Sequence, residues 1–397
     1  MQLKNTGRRS IRIRLKSSYP GTGKISANWD ADRHPGCRLP YKMINEQAIK
    51  AYVLKEFPDI LHVDIRKLGS GVQGSGFLVE MRTTGGVQSY VVKSLLPEGF
   101  GHDYPSDRAA VFLLDLDEYR NLPNHVKAVD VLAEMEDGTV KSIGGGREYY
   151  LMMEKVEGRD YFHDLKGFAG RDHLEDADKA KIAAMASYLA GIHGVKKESK
   201  TLYWRKLRDT VGHGECLMGV FDIYPDGTLP YEEMSDIIKK CVDWVCKLKP
   251  RYVRLSQIHG DFHPGNIWFR EEGKGQKDER PEFVLLDRSR GPWGEPADDI
   301  TALAINFVFF SVKHYGKVQG AYLEALQQFF GDYIRATGDG EMPEIVAPFF
   351  AFRTAVVANP VFYPELGADA RGRLFRFAKS VLSADRFDVA EVNDYLA

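Results

Sequence analysis

The chain of 397 residues has little cysteine, no long apolar run and almost no net charge. Its four cysteines, Cys37, Cys216, Cys241 and Cys246, include no pair at CxxC spacing, which argues against a zinc site. No secretory apolar segment precedes them, which argues against a disulfide framework. They read as reduced thiols, and the expected compartment is the cytoplasm. The longest apolar stretch, Ile300 to Val312, falls short of the roughly 20 residues that span a bilayer. It reads as a buried core helix, and no membrane association is expected. Lys and Arg number 54 against 56 Asp and Glu, a formal charge of −2. Composition therefore offers no polyanion-binding surface, and no nucleic-acid partner is expected.

What is present is ordinary for a globular chain, with 44% hydrophobic and 28% charged residues. At roughly 100–200 residues per domain the length suggests two or three lobes. The first 29 residues carry seven Lys or Arg and no acid. Ile11, Ile13 and Leu15 alternate with Arg12, Arg14 and Lys16, the period of a half-buried strand or loose arm rather than an amphipathic transit helix. Residues 1–60 read as this arm and a lead-in helix, 61–157 as a strand-rich lobe, and 158–397 as a helix-rich lobe. Helical patterns run over Asp176 to His193 and over Tyr231 to Leu248, where Pro250 stops the second. Strands first and helices afterwards predict an α+β, two-lobed fold.

Gly69, Gly71 and Gly74 form GxGxxG, with Gly76 close behind. A dinucleotide-binding turn must open a helix, whereas here Phe77 to Met81, a Thr83-Thr84-Gly85-Gly86 turn and Val87 to Lys93 read as strand, turn, strand. A hairpin of this kind can cover nucleotide phosphates with backbone N–H groups. A turn centred on Thr84-Gly85 sets Lys93 across from Gly76, a cation beside the glycine loop; the plainer reading is a solvated strand lysine. A buried lysine needs a carboxylate. The helix expected over Ser106–Leu122 offers Asp115, Asp117 and Glu118, of which Glu118 has the longest stem and could reach inward beside Leu114 and Leu122.

The strongest signal is His259-Gly260-Asp261-Phe262-His263-Pro264-Gly265-Asn266, followed by the apolar strand Phe283 to Leu286 that ends in Asp287. Pro264-Gly265 forces a loop. If Asn266–Arg270 runs antiparallel to Phe283–Asp287, Asn266 faces Asp287 at roughly 4.5–5.5 Å. Two oxygen donors so placed can share a hard cation such as magnesium. Asp261 sits on the loop just before, where a carboxylate can accept or orient an attacking hydroxyl. A transition-metal reading of His259, Asp261 and His263 lacks further His or Cys ligands, and His259 reads better as a brace for the loop.

These segments resemble the aminoglycoside phosphotransferase and choline kinase superfamily, whose members share the protein-kinase-like fold and mostly phosphorylate small molecules. Gly294 to Ile300 resembles the family's segment after the metal aspartate, where a residue in the place of Asp299 opens a helix and braces the loop. Leu189-Ala190-Gly191-Ile192-His193 resembles its LAxLH helix end. The resemblance implies Asp261 as base, Asn266 and Asp287 on Mg2+, Lys93 paired with Glu118, and adenine of ATP held by the backbone of Glu154 and Val156. It implies an ATP-dependent phosphotransferase acting on a small-molecule hydroxyl. The departures are specific: Gly260 replaces the arginine of HRD, Asp287-Arg288-Ser289 replaces DFG, and no activation segment precedes Gly294. They weigh against the alternative of a protein serine/threonine kinase, and the presence of every required residue type weighs against a silent nucleotide-binding module. The acceptor pocket is expected from residues 159–250 and from a set including Phe349, Phe350, Phe352, Arg353, Phe362 and Tyr363. The plainer reading of that set makes the aromatics core and Arg353 a surface residue or helix salt bridge.

Overall fold

The computed structural model describes residues 44–397 apart from 58, 71–73, 98–99, 122–124, 147, 150, 152, 271–280 and 289. The basic arm, Cys37, Gly71 and the charged turn after Arg270 lie outside the described residues.

Asn45 opens α1 (Glu46–Glu56) by accepting the Ala48 N–H at 3.2 Å, which satisfies one of the donors left over at a helix start. An antiparallel sheet follows in the order β1 (Ile60–Ser70), β2 (Gly74–Thr83), β3 (Gly86–Leu95). In β2 every second residue is buried, so Phe77, Val79 and Met81 meet Val63 and Ile65 of β1 and Ile49 and Val53 of α1 in a small core. The Thr83–Gly86 turn fixes the β2–β3 register, which sets Gly76 opposite Lys93. Next come α2 (Pro105–Glu118) and the hairpin of β4 (Leu132–Glu134) and β5 (Val140–Ser142).

The second core begins at β6 (Arg159–Asp160) and α3 (Phe162–Gly167). Helices α4 (Asp176–His193), α5 (Lys200–Gly212), α6 (Leu217–Asp222) and α7 (Tyr231–Leu248) lead to β7 (Ser256–Gln257), β8 (Ile267–Phe269), β9 (Phe283–Leu285) and β10 (Trp293–Gly294). The chain ends in α8 (Ala297–Tyr315), α9 (Gly320–Thr337), α10 (Ala347–Val357) and α11 (Ala368–Ser383). From Ala297 to Val312, α8 is buried on all sides, as its mostly apolar sequence requires, and Gly316 closes it in the left-handed conformation at φ 68°. In α7 the residues Met234, Ile237, Cys241, Trp244 and Leu248 share the buried face. The two apolar clusters divide the molecule into a strand-rich N-lobe and a helix-rich C-lobe, an α+β, two-lobed fold.

Candidate active site

Three short strands set the site. In β8, Ile267 pairs with Leu285 of β9, and Trp268 and Phe269 pair with Asp160 and Arg159 of β6. The segment containing Glu154 and Val156 is thereby tied to the strand that follows Asn266. Gly158 makes the junction: its φ is 146°, and a Cβ there would lie 2.5 Å from the Phe269 carbonyl oxygen, so only glycine fits. Glu154 is exposed and Val156 half-buried, both outside regular structure.

The loop from His259 to Asn266 is held from several directions. The Asp299 carboxylate, in the first turn of α8, accepts the backbone N–H groups of His259 and Gly260, each at 2.7 Å. His193, which ends α4, approaches the same carboxylate with Nε2 at 3.1 Å and the Tyr333 hydroxyl with Nδ1 at 2.9 Å. His259 turns its Nδ1 to the Asp261 N–H at 3.3 Å. The Tyr161 N–H donates to the carbonyls of Pro264 and Ile267. Arg288 donates through Nε and Nη2 to the Ile258 carbonyl, stapling the segment after Asp287 to the start of the loop. Gly260 has φ 87°, and a Cβ there would come within 3.3 Å of the Gly291 carbonyl. The close approach of these two segments explains why glycine stands where a protein kinase has arginine.

Asp261 is buried, 7% exposed, and two arginines and a histidine surround its carboxylate. Arg353 Nη1 donates to Oδ1 at 2.5 Å, Arg290 Nη2 lies 3.7 Å from Oδ2, and His263 Nε2 lies 3.9 Å from Oδ2. Burial alone would raise the carboxyl pKa; Arg353, then Arg290 and His263, outweigh it and hold the group below the ordinary carboxylate range. His263 is itself lowered, first by burial, then by the two arginines against the pull of Asp261. Arg353 also donates through Nη2 to the Gly260 carbonyl at 2.9 Å and to Asp298 Oδ1 at 2.7 Å. Lys206 of α5 reaches the other oxygen of Asp298 at 2.6 Å. Asp298 is fully enclosed; burial alone would raise it, but Lys206 and Arg353 hold it down at about 2.

Two expectations need correction. Asn266 does not face Asp287. Its carbonyl accepts the Leu286 N–H at 2.9 Å, so Leu286 is its partner, one position short. Asp287 leaves the ladder with φ 50°, a left-handed conformation uncommon outside glycine. Nor does Glu118 meet Lys93: among the described residues no ion pair joins them. Both are exposed, and Glu118 accepts instead from Asn121 Nδ2 at 3.0 Å. Leu114, beside which Glu118 was expected to reach inward, is 63% exposed, so that face of α2 is turned to solvent. Asp115 takes the Tyr119 hydroxyl, and α2 is anchored at its other end by Arg205 of α5, which binds Asp107 and Asp103. Gly69 and Gly74 sit in the β1–β2 hairpin, opposite Gly76 and Leu95 respectively.

The donor set around Asn266 and Asp287 fits a hard cation. Asn266 spends its Nδ2 on the Asp261 carbonyl at 3.0 Å, which leaves the amide oxygen as the atom for a metal. Asp287 adds a carboxylate. Two oxygen donors without thiolate or imidazole suit magnesium, which keeps waters and takes phosphate oxygens for its remaining positions. Among the described residues no group of three His, Cys, Asp or Glu side chains forms a self-sufficient metal centre.

Lys206, Asp298 and Arg290 were absent from the site drawn from the sequence, and Arg353 entered it only among the residues expected around the acceptor. Arg353 is not at the surface: it is 4% exposed and lies between two carboxylates, forming a buried salt bridge from α10 to Asp298 of α8 as well as one to Asp261. Phe349, Phe350 and Phe352 are core, whereas Phe362 is exposed. A cavity of about 570 Å³ lies elsewhere, between Gly227–Pro230 and α11. Its Lys379 is paired with Glu233 and its Arg371 with backbone carbonyls, and none of the residues around Asp261 lines it.

No curated protein matches the sequence. Solved structures similar to it include an ethanolamine kinase from Plasmodium vivax, 11% identical over 84% of this chain and 80% of that one with a TM-score of 0.31. A choline/ethanolamine kinase family protein from Mesorhizobium loti is 12% identical over 84% and 92%, TM-score 0.30. A spectinomycin phosphotransferase in complex with ADP and spectinomycin is 12% identical over 89% and 98%, TM-score 0.28. The model of the phosphotransferase enzyme family matches residues 64–277, more than half of the chain, from within β1 through the Asp261 loop and β8. The chain belongs to that phosphotransferase family.

Proposed function

We propose that the chain transfers the γ-phosphoryl group of ATP to a hydroxyl of a small molecule, with Asp261 facing the acceptor. The observation that carries this reading is the anchored carboxylate. Asp261 is buried and ionised on a loop pinned by Asp299 and joined through its carbonyl to the Asn266 amide. Phosphoryl transfer needs positioning and charge stabilisation more than strong bases. A carboxylate held at low pKa accepts a hydrogen bond from the acceptor hydroxyl and orients its oxygen toward phosphorus. As the O–P bond forms and the bond to the β-phosphate oxygen breaks, the hydroxyl proton becomes acidic and passes to Asp261; ADP leaves with the electron pair. Asn266 and Asp287 would hold magnesium, which when bound neutralises phosphate oxygens. In the same reading the Gly69–Gly76 hairpin covers the phosphates, Lys93 approaches them, and the backbone at Glu154 and Val156 takes the adenine. The Lys93–Glu118 pairing forms no part of it.

The test is ADP release from Mg-ATP by wild type and Asp261→Asn over a panel of amino alcohols, sugars, sugar acids, nucleosides, aminoglycosides and a generic protein. An acceptor-dependent signal lost in Asp261→Asn, with ATP binding retained, is the expected result. Equal turnover in the variant removes Asp261 from the mechanism, and absence of ATP binding removes the nucleotide.

A further inference from the structure

The charges around Asp261 do not balance. Arg290, Arg353 and Lys206 face Asp261 and Asp298, three cations against two carboxylates. Arg353 is bonded to both carboxylates and Lys206 to Asp298, so those three bonds consume the negative charge available. The surplus falls on Arg290. Its nearest carboxylate oxygen, at 3.7 Å, is beyond hydrogen-bond length, and its Nε and Nη1 are enclosed without a hydrogen-bond partner. Enclosed donors without acceptors are costly and rare. The guanidinium is nevertheless held in place: its carbon lies 5.1 Å from the Phe352 ring centroid, and that of Arg353 lies 4.6 Å from the same centroid. A fixed, under-bonded arginine beside the acceptor carboxylate is a receptor for an anion.

We propose that the acceptor carries a carboxylate or phosphate near its reacting hydroxyl, and that Arg290 reads that group. The inference rests on the phosphotransferase reading above and narrows it to acidic hydroxyl compounds. The other anion that could reach Arg290 is the γ-phosphoryl group itself, and the experiment separates the two by filling the nucleotide site first.

Wild type, Arg290→Met and Arg290→Lys are saturated with Mg-AMPPNP. Inorganic phosphate, glycerate, gluconate and their uncharged counterparts glycerol and glucitol are then titrated, read by thermal shift and calorimetry. The expected result is that anionic probes, and not the uncharged ones, bind wild type over bound AMPPNP. Binding should be about 10–100-fold weaker in Arg290→Met, the loss of charge-assisted hydrogen bonds, with Arg290→Lys between the two. Equal anion affinity in wild type and Arg290→Met, or no anion binding at all, overturns the proposal. So does anion binding that disappears once AMPPNP is present, since Arg290 then serves the γ-phosphoryl group. Failure of AMPPNP to bind wild type is a different outcome: it strikes the ATP-dependent reading and takes this proposal with it. AMPPNP binding by Arg290→Met serves as the check that the variant is folded.

Discussion

Replacing Arg353 by methionine tests the buried charge cluster most directly. The guanidinium is enclosed in the C-lobe and makes three bonds, to Asp261 Oδ1, the Gly260 carbonyl and Asp298 Oδ1, at 2.5, 2.9 and 2.7 Å. Methionine fills much of the volume and supplies no donor. Asp261 is then left with Arg290 and His263 at 3.7 and 3.9 Å, while Asp298 keeps Lys206. Breaking a buried ion pair from one side costs about 3–5 kcal/mol, because the remaining charge stays enclosed without compensation. The retained Lys206 contact places the expectation toward the lower end, about 3 kcal/mol. Urea unfolding followed by circular dichroism and tryptophan fluorescence reads it as a fall in midpoint at constant slope. The double variant with Asp298→Asn removes one of the stranded charges, so the two losses should fall short of additive by about 1–3 kcal/mol. A loss below about 1 kcal/mol in Arg353→Met, or strict additivity in the cycle, would refute the clamp and return Arg353 to the status of a surface ion pair.

Asp299→Asn leaves one side-chain oxygen where two now accept the His259 and Gly260 N–H groups. Displacement of the loop should lower kcat on the order of 100-fold with little change in nucleotide affinity, measured by steady-state kinetics and calorimetry. Gly260→Ala forces a Cβ onto a residue at φ 87° and against the Gly291 carbonyl, which should cost about 1–3 kcal/mol in urea unfolding. Asp298 falls from the ordinary 3.8 to about 2 in the folded chain. Because its folded value is depressed, its contribution is fully present above the unfolded value and is lost as pH falls through the folded one. At about 1.4 kcal/mol per unit this amounts to about 2 kcal/mol. Unfolding midpoints followed through that window should show it in wild type, and the loss should be absent from Asp298→Asn.

What the sequence made legible, and what it hid, divides by the range of the interactions concerned. The β2–β3 register follows from a two-residue turn, since Thr84-Gly85 leaves only one way to pair the flanking residues, and Lys93 does stand across from Gly76. Asp176–His193 is a helix that its alanine content favours, and Tyr231–Leu248 is one whose apolar face lies within the segment and which Pro250 stops just beyond it. The Asn266–Asp287 register is off by one along the whole ladder, where Ile267 pairs with Leu285, Trp268 with Val284 and Phe269 with Phe283, because the long charged connection between the strands carries no tight-turn signal to set the pairing. The lysine's carboxylate was sought on α2 by stem length. Which face of α2 is buried is set by Leu116 inside and Leu114 outside, and a helix whose apolar run Ala109–Leu114 goes round more than one face does not declare that choice. Arg353 was the larger loss, and it did leave a trace. Between Ala347 and Val357 it is the only charged residue in an otherwise almost wholly apolar helix. A helix so apolar is buried on every side, so its one cation must be enclosed, and an enclosed cation must have acids within reach. That reasoning demands carboxylates for Arg353 without naming them. The partners, Asp261 and Asp298, lie 92 and 55 residues earlier and are brought to it only by the packing of α10 against α8 and the Asp261 loop. Asp261 and the cations that surround it therefore come from segments whose proximity is a property of the C-lobe core, which is why the motif pointed to the loop before anything in the sequence pointed to the charge around it.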